Sequence, residues 1–191
     1  MSQGIRIRTK QSIGLSALVV LASCTTGDVA DTAALQTQAR DIAGQFTSTL
    51  LPTLQNALAE GWPENAIEVC SVRAPEIADE LAAATNWSVR RVSLKARNSE
   101  LAIPDSWERE VLEEFENREL ASAPMTQSAV VDGEYRYMQA QLAMPLCLSC
   151  HGQNLSPEVS AALRQHYPND LATGYREGDV RGAISLRYSL D

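Results

Sequence analysis

The chain has 191 residues, 45% of them hydrophobic, and a formal net charge of −8. That length suits one domain with one core. The acidic balance argues against binding to nucleic acid, whose phosphates would repel it.

The first residues carry Arg6, Arg8 and Lys10 and no acid, and an apolar run follows from Ile13 to Ala22. A basic start and a short apolar run predict a secretory signal. The run is too short to remain as a membrane-spanning helix. It ends Leu21-Ala22-Ser23-Cys24, small residues directly before a cysteine, which resembles the bacterial lipobox. Residues 1–23 are therefore expected to be a lipoprotein signal peptide, with Cys24 the acylated new amino terminus. The alternative is an ordinary cleaved signal with an incidental cysteine. Thr25 follows Cys24 where aspartate would retain a lipoprotein at the inner membrane, so in a cell with two membranes the outer one is favoured. Acyl chains at Cys24 would anchor the domain firmly in the periplasm.

Residues 24–34 read as a small, polar tether, and residues 35–191 as the folded domain. From Ala34, Leu35, Ala39, Ile42, Phe46, Leu50, Leu54 and Leu58 recur on one helical face. Pro52 should kink this helix, and Gly61-Trp62-Pro63 should end it. Ile67, Cys70, Ala74, Ile77 and Leu81 share a face of the next helix, where Pro75 forces a break or a fresh start. Trp87 to Arg97 alternates, with Val92, Leu94 and Ala96 inward and Arg91, Ser93, Lys95 and Arg97 outward, which predicts a strand. Asp105 can cap a short helix, Trp107 to Glu119. Asp132-Gly133 reads as a hairpin turn before a strand from Glu134 to Met144. Pro157 to Tyr167 is a helix and Gly182 to Leu190 a last strand. Helices first and antiparallel strands later make an α+β domain.

Between the last two of these elements and the long strand lies Cys147-Leu148-Ser149-Cys150-His151-Gly152. Two cysteines separated by two residues and followed by histidine form the attachment pattern for c-type haem. The thiols of Cys147 and Cys150 add across the haem vinyl groups, and His151 becomes the proximal iron ligand. One covalent haem c is expected. Export supports this, because haem c is attached outside the bacterial inner membrane. A redox dithiol does not need the histidine, and a zinc site would need further ligands, of which only Cys70 and His166 are candidates. The four cysteines need no disulfide: Cys24 takes lipid, Cys147 and Cys150 take haem, and Cys70 is left single.

Several segments together resemble a family of bacterial haem-c proteins with a PAS-like fold, known from cyanobacteria and long catalogued as a domain of unknown function. They are Ala66-Ile67-Glu68-Val69-Cys70 with Ala74-Pro75, then Ser93-Leu94-Lys95-Ala96-Arg97-Asn98, Pro104-Asp105-Ser106-Trp107-Glu108, the haem motif, and the run from Ala172 to Ser185. The last run is the most specific. Ser99 departs from the pattern, where proline is expected. The resemblance implies a PAS-like antiparallel sheet with the N-terminal helices packed on it. It also implies two protein ligands to the iron, His151 and the Cys70 thiolate. The residues alone leave Cys70 open between ligand and buried core cysteine. Other distal candidates are His166, Met125, Met138 and Met144. Lys95, Arg97, Arg176 and Arg181 are candidates to neutralise the haem propionates, against the plainer role of solvated charges. Tyr135, Tyr137 and Tyr175 are candidates to stack on haem or to fill core.

Three functional classes follow. A six-coordinate haem suits electron transfer with a redox partner protein, and thiolate ligation predicts a low potential. A haem-based redox or gas sensor is the alternative. No output domain follows residue 191, so sensing would need a separate partner. Catalysis is disfavoured, since no distal acid–base pair is recognisable and the sixth position is expected to be filled.

Overall fold

A four-stranded antiparallel sheet lies between two helical layers in the computed structural model, which describes residues 1, 27–118 and 124–190. The expectations for the export signal and Cys24 lie outside the described residues. In chain order come α1 (Gly27–Glu60), α2 (Glu64–Glu68), a π-helical turn (Val69–Arg73), α3 (Ala74–Thr85), β1 (Ser88–Val92) and α4 (Ser106–Glu116). Then follow β2 (Thr126–Val131), β3 (Glu134–Leu142), α5 (Pro145–His151), α6 (Pro157–His166) and β4 (Val180–Ser189). The strand order is β1-β4-β3-β2. This is the α+β, PAS-like architecture expected, with the N-terminal helices on the sheet.

Each sheet face is covered. On one, Val89, Tyr135, Tyr137, Ile184 and Leu186 pack against Leu35, Ala39, Ile42 and Phe46 of α1 and Ala74 and Ile77 of α3. On the other, Val92, Met138 and Ala183 pack against Val111, Leu112 and Phe115 of α4. Complete burial of a large apolar side chain such as Phe46 or Phe115 contributes about 1.5–3 kcal/mol.

Local chemistry explains the element ends. Asp105 caps α4 through a reciprocal box: its Oδ1 accepts from the Glu108 N–H at 2.8 Å, and Glu108 Oε2 accepts from the Asp105 N–H at 2.9 Å. The β2–β3 hairpin turns on Asp132 and Gly133, with φ of 51° and 79°, the pair of left-handed residues that matches strand twist.

Two expectations need correction. The helix begins at Gly27, so most of the supposed tether over 24–34 is helical. It carries Pro52 inside it and ends at Glu60, before Gly61-Trp62-Pro63. Pro75 stands in the first turn of α3, the fresh start expected of it. With no N–H to donate, it is accommodated by the π-helical turn before it, where the Ala74 N–H reaches Val69 O. The first strand stops at Val92, not Arg97. There Ser93 leaves the ladder and donates its hydroxyl to Arg181 O at 2.7 Å. Gly182, at φ 154°, lies against Val92 O where a Cβ would collide.

Candidate functional site

The motif Cys147-Leu148-Ser149-Cys150-His151 forms the helix α5 itself. Met144 is extended, Pro145 opens the helix, and Gly152 closes it with its N–H on Leu148 O at 2.9 Å. On a helix, residues three and four apart share a face, so Cys147, Cys150 and His151 are presented together. All three line one cavity.

The segment after α6 locks that helix end. Gly174 N–H bonds Gly152 O and Tyr175 N–H bonds His151 O, both at 3.0 Å. Gly174 takes φ 84°, which a side chain would strain. His151 is 6% exposed, and its Nδ1 lies 2.7 Å from Ala172 O. A carbonyl can only accept, so Nδ1 carries the proton and Nε2 keeps its lone pair. Burial, then the nearby Arg181 and Arg97 charges, hold the imidazole well below its usual pKa despite the Ala172 bond, so it is neutral. Burial pushes the Cys150 thiol up to about 11, against the pull of Arg97. A reactive dithiol needs the opposite shift. Among the described residues no three His, Cys, Asp or Glu side chains cluster as a metal site, which leaves the zinc alternative without a ligand set.

Arg97 pins this arrangement. It pairs with Asp170 through Nε at 3.2 Å and Nη2 at 3.0 Å, and Nη2 also donates to Cys150 O at 2.6 Å and Ala172 O at 3.2 Å. Asp170 Oδ1 in turn accepts the Ala172 N–H at 2.8 Å.

The cleft has two lobes. One, of about 400 Å³, is walled by Leu50, Leu54 and Leu58 of α1, Ile67, Leu142 and the two motif cysteines. The other, of about 220 Å³, lies between α3, β1 and the loop after it, and is lined by arginines and Lys95. Cys70, Arg91, Arg97, Gln141, His151, Tyr167 and Arg181 line both lobes, so the two adjoin along these residues. Cys70 thus shares a cleft with His151 although 81 residues separate them in sequence. It sits in the π-helical turn, a distortion found disproportionately at functional sites.

The remaining candidates divide. Met144 lines the apolar lobe. Met125 and Met138 are buried on the opposite sheet face, under α4. His166 is exposed at the end of α6 and lines neither lobe. Lys95 lines the polar lobe, with Nζ 4.9 Å from the Tyr175 ring centroid. Arg176 is exposed in its loop and lines neither lobe. Tyr135 and Tyr137 fill the core beneath α1, whereas Tyr175 stands edge-on to His151 at 6.4 Å. Two lining residues escape a reading by strand alternation, Arg91 and Tyr167. Arg91 faces the α1 side of the sheet, 6.0 Å from the Phe46 ring, and not solvent.

Fold and site together define a PAS-like α+β domain with a Cys-x-x-Cys-His helix at the wall of a two-lobed cleft. The chain belongs to the Tll0287-like family, whose model matches residues 25–189. Its fold is similar to the crystal structure of the cyanobacterial heme-protein Tll0287, with a TM-score of 0.62 and 24% sequence identity, over 85% of this chain and 96% of that one. No curated protein sequence matches it.

Proposed function

We propose that this chain is an exported, lipid-anchored carrier of one haem c that passes single electrons at low potential. In this reading Cys147 and Cys150 form the thioethers, and His151 and Cys70 are the axial ligands. The observation that carries it is the state of His151: neutral, buried, proton fixed on Nδ1 by Ala172, Nε2 free on a cleft that Cys70 also lines.

The donor set fits the group. Two thiols and an imidazole share one helical face, leucines wall the larger lobe, and Arg91 and Arg181, which make no ion pair among the described residues, line both lobes. The similar cyanobacterial structure is of a heme-protein. Bound haem supplies a one-electron ferric–ferrous couple. His151 holds its ring in place through Ala172. Cys70 supplies a thiolate, which donates charge and favours ferric iron, hence the low potential. With His151 and Cys70 both holding the iron, no position would be left for a substrate, which favours electron transfer over catalysis. Lipid on Cys24 would keep the domain in the periplasm, at the outer membrane where two membranes are present, with a redox partner protein. Support for that part is the basic-then-apolar start of the sequence and the attachment of haem c outside the inner membrane.

Acid–acetone extraction followed by a pyridine haemochrome spectrum of the native protein tests the reading. Haem that resists extraction, one per chain, is expected. Haem that extracts freely, or none, overturns it. Carbon monoxide that readily displaces a ligand from the ferrous protein would favour the sensor instead.

A further inference from the structure

Arg91 on β1 and Arg181 on the adjoining β4 line both lobes of the cleft, at their junction. Arg91 donates Nε to Gln141 Oε1 at 3.3 Å and makes no ion pair among the described residues. The Arg181 side chain has no hydrogen bond there, and its Nε is buried without a partner. The other cations of the polar lobe have partners: Arg97 has Asp170, Lys95 has the Tyr175 ring, and Arg90 has Ile103 O and, at 4.0 Å, Glu108, although its Nε, like that of Arg181, lacks a hydrogen bond. Among the described residues Asp79 is the one carboxylate along that lobe's lining. Burial, with the charge of Arg181 next, pulls Arg91 down to about 10.

Two half-buried guanidiniums side by side, without a carboxylate partner among the described residues, are costly, because they repel each other where water screens them poorly. A guanidinium is also the side chain best shaped to take a carboxylate by two parallel hydrogen bonds. We propose that Arg91 and Arg181 together seat the two carboxylates of the haem at the mouth of the polar lobe, with the apolar lobe taking the ring. This rests on the haem reading above. It gives Arg91 the role of an anion-binding residue. It also separates the four basic candidates: Arg181 binds directly, Arg97 holds the motif helix, and Lys95 and Arg176 stand aside.

The test uses the full-length, haem-loaded protein and the variants Arg91→Gln, Arg181→Gln, Arg91→Lys and Arg181→Lys. Midpoint potentials are measured across the neutral pH range, with redox-difference infrared spectra for the carboxylate bands and ferric electron paramagnetic resonance. In the parent chain the potential is expected to be flat with pH, because the arginines keep the carboxylates ionised. Each glutamine variant should shift the carboxylate bands and give the potential a pH dependence. It should also favour the oxidised form about tenfold, about 59 mV for one electron. Lysine variants should keep the parent profile, and all four should keep the parent resonance spectrum. Glutamine variants with unmoved carboxylate bands overturn the proposal. So do variants that change only the resonance spectrum, which would place the cations on the Cys70 sulfur. Loss of haem in the glutamine variants alone supports it; loss in the lysine variants too overturns it. A parent chain without covalent haem overturns the haem reading and this inference together, whereas a loaded but indifferent protein overturns only the inference.

Discussion

His151 donates its Nδ1 proton to the carbonyl of Ala172, 21 residues further along the chain, at 2.7 Å. The bond sets the tautomer and the ring plane before any ligand arrives. A ligand pre-oriented in this way loses less freedom on binding than a swinging imidazole would. The same carbonyl also accepts from Arg97 Nη2, so the orientation of His151 depends on Arg97 as well.

That dependence gives a first prediction. The Arg97–Asp170 pair is nearly buried, with side chains 9% and 10% exposed. Arg97→Ala would leave Asp170 buried without its cation, at a cost of about 3–5 kcal/mol of folding stability. Arg97→Lys should recover part of this, since lysine keeps the charge but not the fork that reaches Asp170 and two carbonyls at once. Urea unfolding of the full chain measures both. An alanine variant that loses less than about 1 kcal/mol would mean that the clamp is no more than a surface ion pair.

Cys70 gives the second. In the proposed reading Cys70 is a thiolate ligand apart from the thioethers, so Cys70→Ser should leave haem covalently attached. The ferric absorption and paramagnetic resonance spectra should change, and the potential should rise as thiolate donation is lost. His166→Ala is the control, because His166 is exposed outside the cleft. Unchanged iron spectra in Cys70→Ser would make Cys70 an ordinary lining residue. Met144, which also lines the apolar lobe, would then be the ligand to test.

The parts legible in sequence are those whose chemistry is local. The six residues around His151 announce their site because they are consecutive, and α4 is visible through its cap Asp105, though the return bond from Glu108 is not. Arg91 is not. Alternation places it on the wet side of its strand, but this sheet has no wet side: α1 and α3 cover one face and α4 the other. Arg97 reads as a free cation because its partner, Asp170, lies 73 residues away. Pro75 is visible, but the π-helical response to it, which surrounds Cys70, is not.

At the amino terminus, the lipobox-like Leu21-Ala22-Ser23-Cys24 predicts a modified cysteine. Mass spectrometry of the native amino terminus should find Cys24 carrying a diacylglyceryl group. Cys24→Ser should release the domain from the membrane fraction. A mature chain that begins elsewhere and stays in solution would leave only an ordinary signal peptide.

The last prediction concerns the charged cluster beneath α4. Glu108 is fully buried, and its Oε1 accepts from Ser185 at 2.7 Å and from Arg187 at 3.2 Å, with Arg136 at 3.6 Å. Asp105 pairs with Arg136 and, at 2.9 Å, with Arg187. Burial alone would raise the Asp105 carboxyl. The Glu108 N–H and the two guanidiniums outweigh it and hold the carboxyl below its ordinary range. The folded state therefore binds fewer protons at Asp105 than the unfolded chain does in the acid range. Its contribution is present above the unfolded pKa, about 3.9, and is lost as pH falls through the lower folded value. Asp105→Asn separates charge from cap, because asparagine caps a helix as well as aspartate does. It should lower stability at neutral pH and flatten the acid limb of the stability curve, while α4 stays capped. Glu108→Gln, which removes one of the two carboxylates facing Arg136 and Arg187 while Asp105 keeps its pairs with both, should also lower stability at neutral pH. Urea midpoints measured from neutral pH into the acid limb decide the matter. If the Asp105→Asn and parent curves run parallel into acid, Asp105 acts only as a cap and its pairs with Arg136 and Arg187 contribute nothing to folding.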